Sequence, residues 1–231
     1  MTGIKIFEPR YLYRYRSLNS DDLLARELGS IQDGYLWCSN FEELNDPMEG
    51  SYRQTLRLRR NPRSADIREK IFGQKAALGI CSFSETNDNS LMWAHYAEKF
   101  CGICIEYKFA QLRESLGDGA CFVRLGYSEQ PCRVSSNALS EPDTAMKILS
   151  TKSHRWLYER EWRLFCSRTG RQPISQDSIS RVFLGSKMNS RVRSRVTQHL
   201  TGAGIGHMAM KIDGYEITFS GPGKKRQAKT K

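Results

Sequence analysis

The apolar residues of this chain follow two rhythms, and the switches between them mark out its elements. Alternating or continuous β-type runs occur at YLYRYRSL, YLWCSN, ALGICSFS, GICIEYKF, CFVRLGYS, WRLFCSR, SRVFLGS and HMAMKIDGYEITFS, each able to bury one or both faces of a pleated strand. Between them lie stretches of helical periodicity. These predict helices over 20–31, entered through the cap candidates Asn19, Ser20 and Asp21, and over 64–77, 141–156 and 189–200. A shorter helix is predicted over 89–98, capped by Asp88 or Asn89. Hairpin-like spacings group the strands, with no regular helical crossovers between them. The pattern therefore predicts an α+β fold, a mixed, mainly antiparallel sheet with flanking helices.

Neither an internal repeat nor a low-complexity linker interrupts the interior, so 1–220 reads as a single globular domain large enough for a full core. No apolar run approaches the roughly 20 residues of a membrane helix. The start, MTGIKIFEPRYLYRYRSL, lacks the apolar stretch and cleavage site of a secretory signal. The expectation is a soluble cytoplasmic protein without a membrane partner, whose seven cysteines are reduced thiols filling core gaps. A formal charge of +11 invites a nucleic-acid reading, but the last eleven residues, GPGKKRQAKTK, carry five of those charges and no acid. Residues 221–231 are read as a disordered basic tail, either a solubilising end or a contact for nucleic acid or an acidic partner.

The chemistry-bearing segments are few. No G-x-G-x-x-G and no G-x-x-x-x-G-K-[ST] occurs, so neither a dinucleotide-binding fingerprint nor a phosphate loop is present. Cys101 and Cys104 form one C-x-x-C without a second half, and on a strand their side chains diverge, so no zinc site is expected. In FEELNDPMEG, Asn45, Asp46 and the following proline make a turn, which either serves structure alone or presents Glu49 from a rigid loop. In LMWAHYA, Trp93, His95 and Tyr96 are core candidates with polar handles. In WLYEREWRLF a strand is predicted to begin near Glu159, which puts Glu159 and Glu161 on one face beside Arg160 and Arg163. Such a pair either serves glycosyl-transfer chemistry or forms a solvated strand edge with ion pairs. In YLYRYRSL, Arg14 and Arg16 share a face opposite the tyrosines, as a fork for phosphate or carboxylate or as one side of a half-exposed strand.

YRYR, LWCSNFEELNDPMEG, CSFSETNDNSLMWAHYA, GICIEY, GYSEQP and KSHRWLYEREWRLF, in that order from about Tyr13 to Gly185, together resemble the bacterial proteins grouped as domain of unknown function 2971. Phe100 and Cys101 stand where that family often has a histidine or arginine before its strand glycine. A second, weaker resemblance is to the arginine–serine–glutamate layout of ADP-ribosyltransferases. It implies NAD as co-substrate. Arg14 or Arg16 would grip its phosphate or ribose, and Ser39 would brace the nicotinamide pocket. Glu161 would bond the ribose 2′-hydroxyl, and Glu159 would steer the acceptor. It also implies the setting in which such activities are common, bacterial toxins and phage-defence effectors.

The candidate catalytic residues are therefore Glu161, Glu159 and His95. The candidate binding residues for a nucleotide-like small molecule are Arg14, Arg16, Ser39, Asn45, Asp46, Glu49, Trp93, Tyr96 and Glu106. Two rival readings remain. One is a metal-assisted phosphoester hydrolase using Asp46, Glu49 and Glu106 or Glu161. The other is a non-catalytic nucleic-acid or ligand-binding module.

Overall fold

The computed structural model describes residues 8–139 and 141–221, so the predicted basic tail lies outside the described residues from 222 onward. The chain enters along β1 (Tyr11–Arg16) and turns into α1 (Asp21–Asp33). There the Ser20 side chain accepts the Leu23 N–H at 3.1 Å, and Gly34, at φ 64°, closes the other end in the left-handed conformation glycine tolerates. Short elements follow: β2 (Tyr35–Cys38), β3 (Tyr52–Gln54), the one-turn α2 (Leu56–Arg59) and then α3 (Ser64–Ala77), which has the predicted bounds. The middle of the chain holds β4 (Gly79–Ser84), α4 (Ser90–Tyr96) capped by the Asn89 side chain, β5 (Ile103–Lys108) and α5 (Phe109–Leu116). Next come β6 (Ala120–Arg124), β7 (Gly126–Ser128), β8 (Cys132–Val134), α6 (Thr144–Leu149), β9 (Thr151–Ser153) and β10 (Glu161–Cys166). The last elements are β11 (Gly170–Pro173), β12 (Ile179–Leu184), α7 (Ser190–Gly202) and the hairpin of β13 (Gly206–Asp213) and β14 (Glu216–Ser220).

Eight strands form one sheet in the order β14-β13-β12-β5-β1-β4-β10-β6, and only the β12/β13 pair is parallel. The fold is thus α+β with a mixed, mainly antiparallel sheet. Helices α1, α5 and α7 cover one face, where Leu24, Leu28, Leu112, Val196 and Leu200 pack onto Leu12, Ile105 and Leu164. On the other face α4 lays Met92 and Trp93 over Tyr15, Cys104 and Phe183. Beside it, Ile80, Phe165 and Leu149 of α6 form a smaller core, and α3 packs on α6 through a satellite of Ile67, Ile71 and Ile148. No helix among the described residues is long and apolar enough to cross a membrane.

The seven cysteines carry free thiols. Cys38, Cys81, Cys104 and Cys166 fill the core as expected, whereas Cys121 is exposed. The predicted helix over 141–156 is not continuous. It stops at Leu149, where Ser150 and Thr151 turn their hydroxyls back onto the Met146 and Lys147 carbonyls. The chain then runs extended so that Thr151–Ser153 pairs with Gly126–Ser128, and a 3-10 turn occupies His154–Glu159.

The central feature is a split. β1 and β4 are neighbours in the sheet but pair only at Tyr13↔Ser84, while β1 stays in register with β5, and β4 with β10, over six residues each. Beyond that point β4 instead bridges to Ser39 through Ile80, with two backbone hydrogen bonds of 2.8 Å.

Candidate active site

A cleft of about 180 Å³ opens where β1 and β4 part, and both strands line it. Glu106, Tyr13, Ser84 and Glu161 stand opposite one another in a row across β5, β1, β4 and β10. Directly opposed residues project from the same face, so Glu161 lies on the α4 side, while Arg14 and Arg16 project toward α1. In an unbroken sheet the arginines and the carboxylate would be separated by its thickness; the split lets both line one cleft.

One end of that cleft is closed by five charged side chains, each 6% exposed or less: Glu49, Lys152, Glu159, Glu161 and Arg163. Lys152 Nζ lies 3.0 Å from Glu49 Oε1, 2.5 Å from Glu159 Oε2 and 2.8 Å from Glu161 Oε2. The Arg163 guanidinium donates from Nε to Glu161 Oε1 at 2.8 Å, from Nη1 to the Leu149 carbonyl at 2.7 Å, and from Nη2 to Glu49. The predicted strand start at Glu159 is corrected: that residue ends the 3-10 turn, Arg160 follows at φ 44°, and the strand begins at Glu161. The two carboxylates still meet, because a left-handed kink and a shared ammonium do what strand alternation was expected to do. A solvated strand edge is excluded, since β10 lies between β4 and β6 and is buried along its length.

Three carboxylates against two cations leave the cluster one negative charge in excess, and burial makes an uncompensated charge costly. The excess is resolved unequally. Burial works against ionisation of Glu161, yet Arg163 and Lys152 together hold its carboxyl down at about 2. Burial pushes Glu159 up, the Glu161 charge adds to the push, and its bonds from Lys152 and Tyr96 only partly offset it. Burial disfavours the Lys152 ammonium, but Glu161, Glu49 and Glu159 outweigh this and raise its proton affinity. Two neighbouring carboxyls driven apart in this way are suited to different tasks, Glu161 as fixed charge and Glu159 as the group that exchanges a proton.

Tyr96, on the last turn of α4, donates its hydroxyl to Glu159 Oε1 at 2.6 Å and accepts from Asn45 Nδ2 at 3.4 Å. The Tyr127 hydroxyl accepts the Glu161 N–H at 2.8 Å, and Ser84 Oγ donates to the Glu159 carbonyl at 2.7 Å. Across the cleft, Arg16 Nη2 lies 2.5 Å from Glu27 Oε1, and its buried Nε has no hydrogen-bond partner among the described residues. Arg14 Nη2 donates to the Trp37 carbonyl at 3.1 Å.

Of the residues singled out in the sequence, Arg14, Arg16, Ser39, Asn45, Glu49, Tyr96, Glu159 and Glu161 line this cleft. Four do not. Asp46 accepts the Met48 N–H at 2.9 Å and faces an adjoining cavity instead, so the Asn-Asp-Pro segment is both a turn and the support of Glu49. Trp93 is fully buried in the core, its Nε1 donating to the Asn87 carbonyl at 2.7 Å. His95 points outward, exposed, against the ring of Tyr158. Glu106 is buried 3.0 Å from Arg181 Nε, with two strands between it and the strand of Glu161. The ligand set of the metal-assisted reading is therefore not assembled, and among the described residues no group of His, Cys, Asp and Glu side chains is placed to hold a metal ion. Lys152 and Arg163 are not among the candidate site residues drawn from the sequence, although Arg163 is placed there beside the two glutamates and Lys152 opens the KSHRWLYEREWRLF motif. Their signal was compositional: a lone lysine before an aromatic run, and an arginine at an inward-facing position of a buried strand.

An α+β protein with a split sheet and a buried acid–base cluster at the split is the class this architecture defines. Residues 92–164 match the family model described as Protein of unknown function (DUF2971). The matched stretch runs from α4 through β10 and includes Tyr96, Lys152, Glu159, Glu161 and Arg163; Arg14, Arg16 and Glu49 lie outside it. No curated protein and no solved structure matches the chain.

Proposed function

We propose that the protein is an enzyme that breaks the N-glycosidic bond of a nucleotide, with NAD as the substrate and ADP-ribose passed to an acceptor nucleophile. The observation that carries this reading is the meeting of Glu49, Lys152, Glu159, Glu161 and Arg163 behind a cleft whose opposite wall holds Arg14 and Arg16. The cleft encloses about 180 Å³. That is below the approximately 300 Å³ at which pockets enclose a drug-sized ligand, so it suits one ring end of a dinucleotide and leaves the phosphates near the arginines.

As the bond between the ribose anomeric carbon and the nicotinamide nitrogen breaks, its electron pair leaves with nicotinamide and positive charge develops on the sugar. A buried cluster with one negative charge in excess favours that charge. Glu161 is held ionised by a cation at each oxygen, so it acts through its fixed charge. As the acceptor bonds the anomeric carbon it loses a proton, and Glu159, with its raised proton affinity, takes it.

The test is chromatographic release of nicotinamide from NAD by the full chain and by Glu159→Gln and Glu161→Gln proteins. Loss of a positioned acid–base group typically costs about 10²–10⁴-fold, and a loss in that range is expected for Glu159→Gln. Release no faster than in a protein-free control, or equal release by all three proteins, overturns the reading.

A further inference from the structure

A second surface stands apart from the cleft. β3 and β8 form a two-stranded parallel ribbon whose register sets Arg53 directly opposite Arg133. Like charges facing each other across a strand pair are destabilising. Here both are exposed, and no ion pair to either is found among the described residues. Arg59, at the end of α2, turns toward the same place, and the three guanidiniums line one groove of about 570 Å³ that has no acidic residue in its wall. Leu56, 69% exposed, supplies an apolar surface between them. Beyond Gln130 and Pro131 the groove ends at a cavity of about 340 Å³ whose wall carries Asp46, Glu49 and Glu129 against Lys152, so the basic surface is confined to the groove itself.

We propose that this groove binds single-stranded nucleic acid, with phosphates on Arg53, Arg59 and Arg133 and a sugar or base face against Leu56. Guanidinium forks match phosphodiester oxygens, and three such groups brought together at a cost to the ribbon are accounted for by a polyanion that bridges them. The exposed leucine favours a strand with accessible bases over a bare phosphate chain. The inference rests on the groove and not on the NAD reading.

Fluorescence anisotropy of a labelled 15-nucleotide oligo-dT with the full chain tests it, measured across a salt series. The Arg53→Gln/Arg59→Gln/Arg133→Gln protein should bind at least tenfold more weakly. Its log Kd against log salt slope should be shallower by about 2, the loss of three single-strand phosphate contacts at roughly 0.7 each. Leu56→Ser should weaken binding without changing that slope. A variant with Lys224, Lys225 and Arg226 changed to Gln should keep the groove-dependent component. All three arginine sites are at the surface, and the single variants Arg53→Gln and Arg133→Gln, each expected to bind about threefold more weakly, serve if the triple variant does not fold. Absence of binding by the wild-type chain overturns the proposal. So does unchanged affinity in the arginine variants, loss only in the tail variant, or full displacement by tripolyphosphate at equal charge.

Discussion

Exchanging each of the two clustered carboxyls for an amide tests the charge arithmetic directly. Glu161 is bonded to both cations of the cluster, and its carboxyl is lowered from 4.5 to about 2. At 1.36 kcal/mol per pKa unit this is about 3 kcal/mol of stability at neutral pH. A folded-state value below the unfolded one means that this contribution is complete above about 4.5 and fades as pH falls toward 2. Glu161→Gln should therefore lower urea-unfolding stability by about 3 kcal/mol at pH 7 and draw level with the wild type as pH falls. Glu159 has the opposite sign. Its raised folded-state proton affinity means that the folded chain loses stability as pH rises past the unfolded value, so removing its charge removes that loss. Glu159→Gln should stay within about 1 kcal/mol of the wild type at pH 7 and compare better there than at pH 4, since the buried bond from Lys152 is kept while the excess charge is gone. Unfolding curves at pH 4, 7 and 8 decide the matter. Equal destabilisation by both substitutions, unchanged across that range, refutes the unequal division of charge.

Three further outcomes follow from the same geometry. Tyr96→Phe removes a 2.6 Å hydrogen bond to Glu159, so the rising limb of the pH–rate profile for nicotinamide release should move to higher pH. Trp93→Ala empties the largest fully buried side-chain site and leaves the Asn87 carbonyl unpaired; about 3–5 kcal/mol of stability should be lost in a urea titration. Lys99 is exposed and held at φ 51° between two other left-handed residues, so Lys99→Gly should raise stability by about 1 kcal/mol, read as a higher unfolding midpoint.

The linear sequence determined the elements whose own residues suffice to make them. The Ser20 and Asn89 caps start α1 and α4, α3 has the expected span, and the fully buried rhythm of EWRLFC yields β10. It also identified Glu159 and Glu161 as a pair, since two acids beside a buried strand conflict with burial unless something compensates them. Tertiary structure alone decided what compensates them. Lys152 was expected within a helix, but the favourable interaction with three carboxylates, added to strand pairing with Gly126–Ser128, exceeds the weak helical preference of Ser150–Ser153. Likewise, periodicity puts Arg14 and Arg16 on one face of a strand, but it cannot show that the neighbouring strand diverges after a single pair. That divergence is set by where β4 is held by β10 and Ser39, contacts far away in the chain, and it is what brings arginines and carboxylates from opposite sheet faces to one cleft.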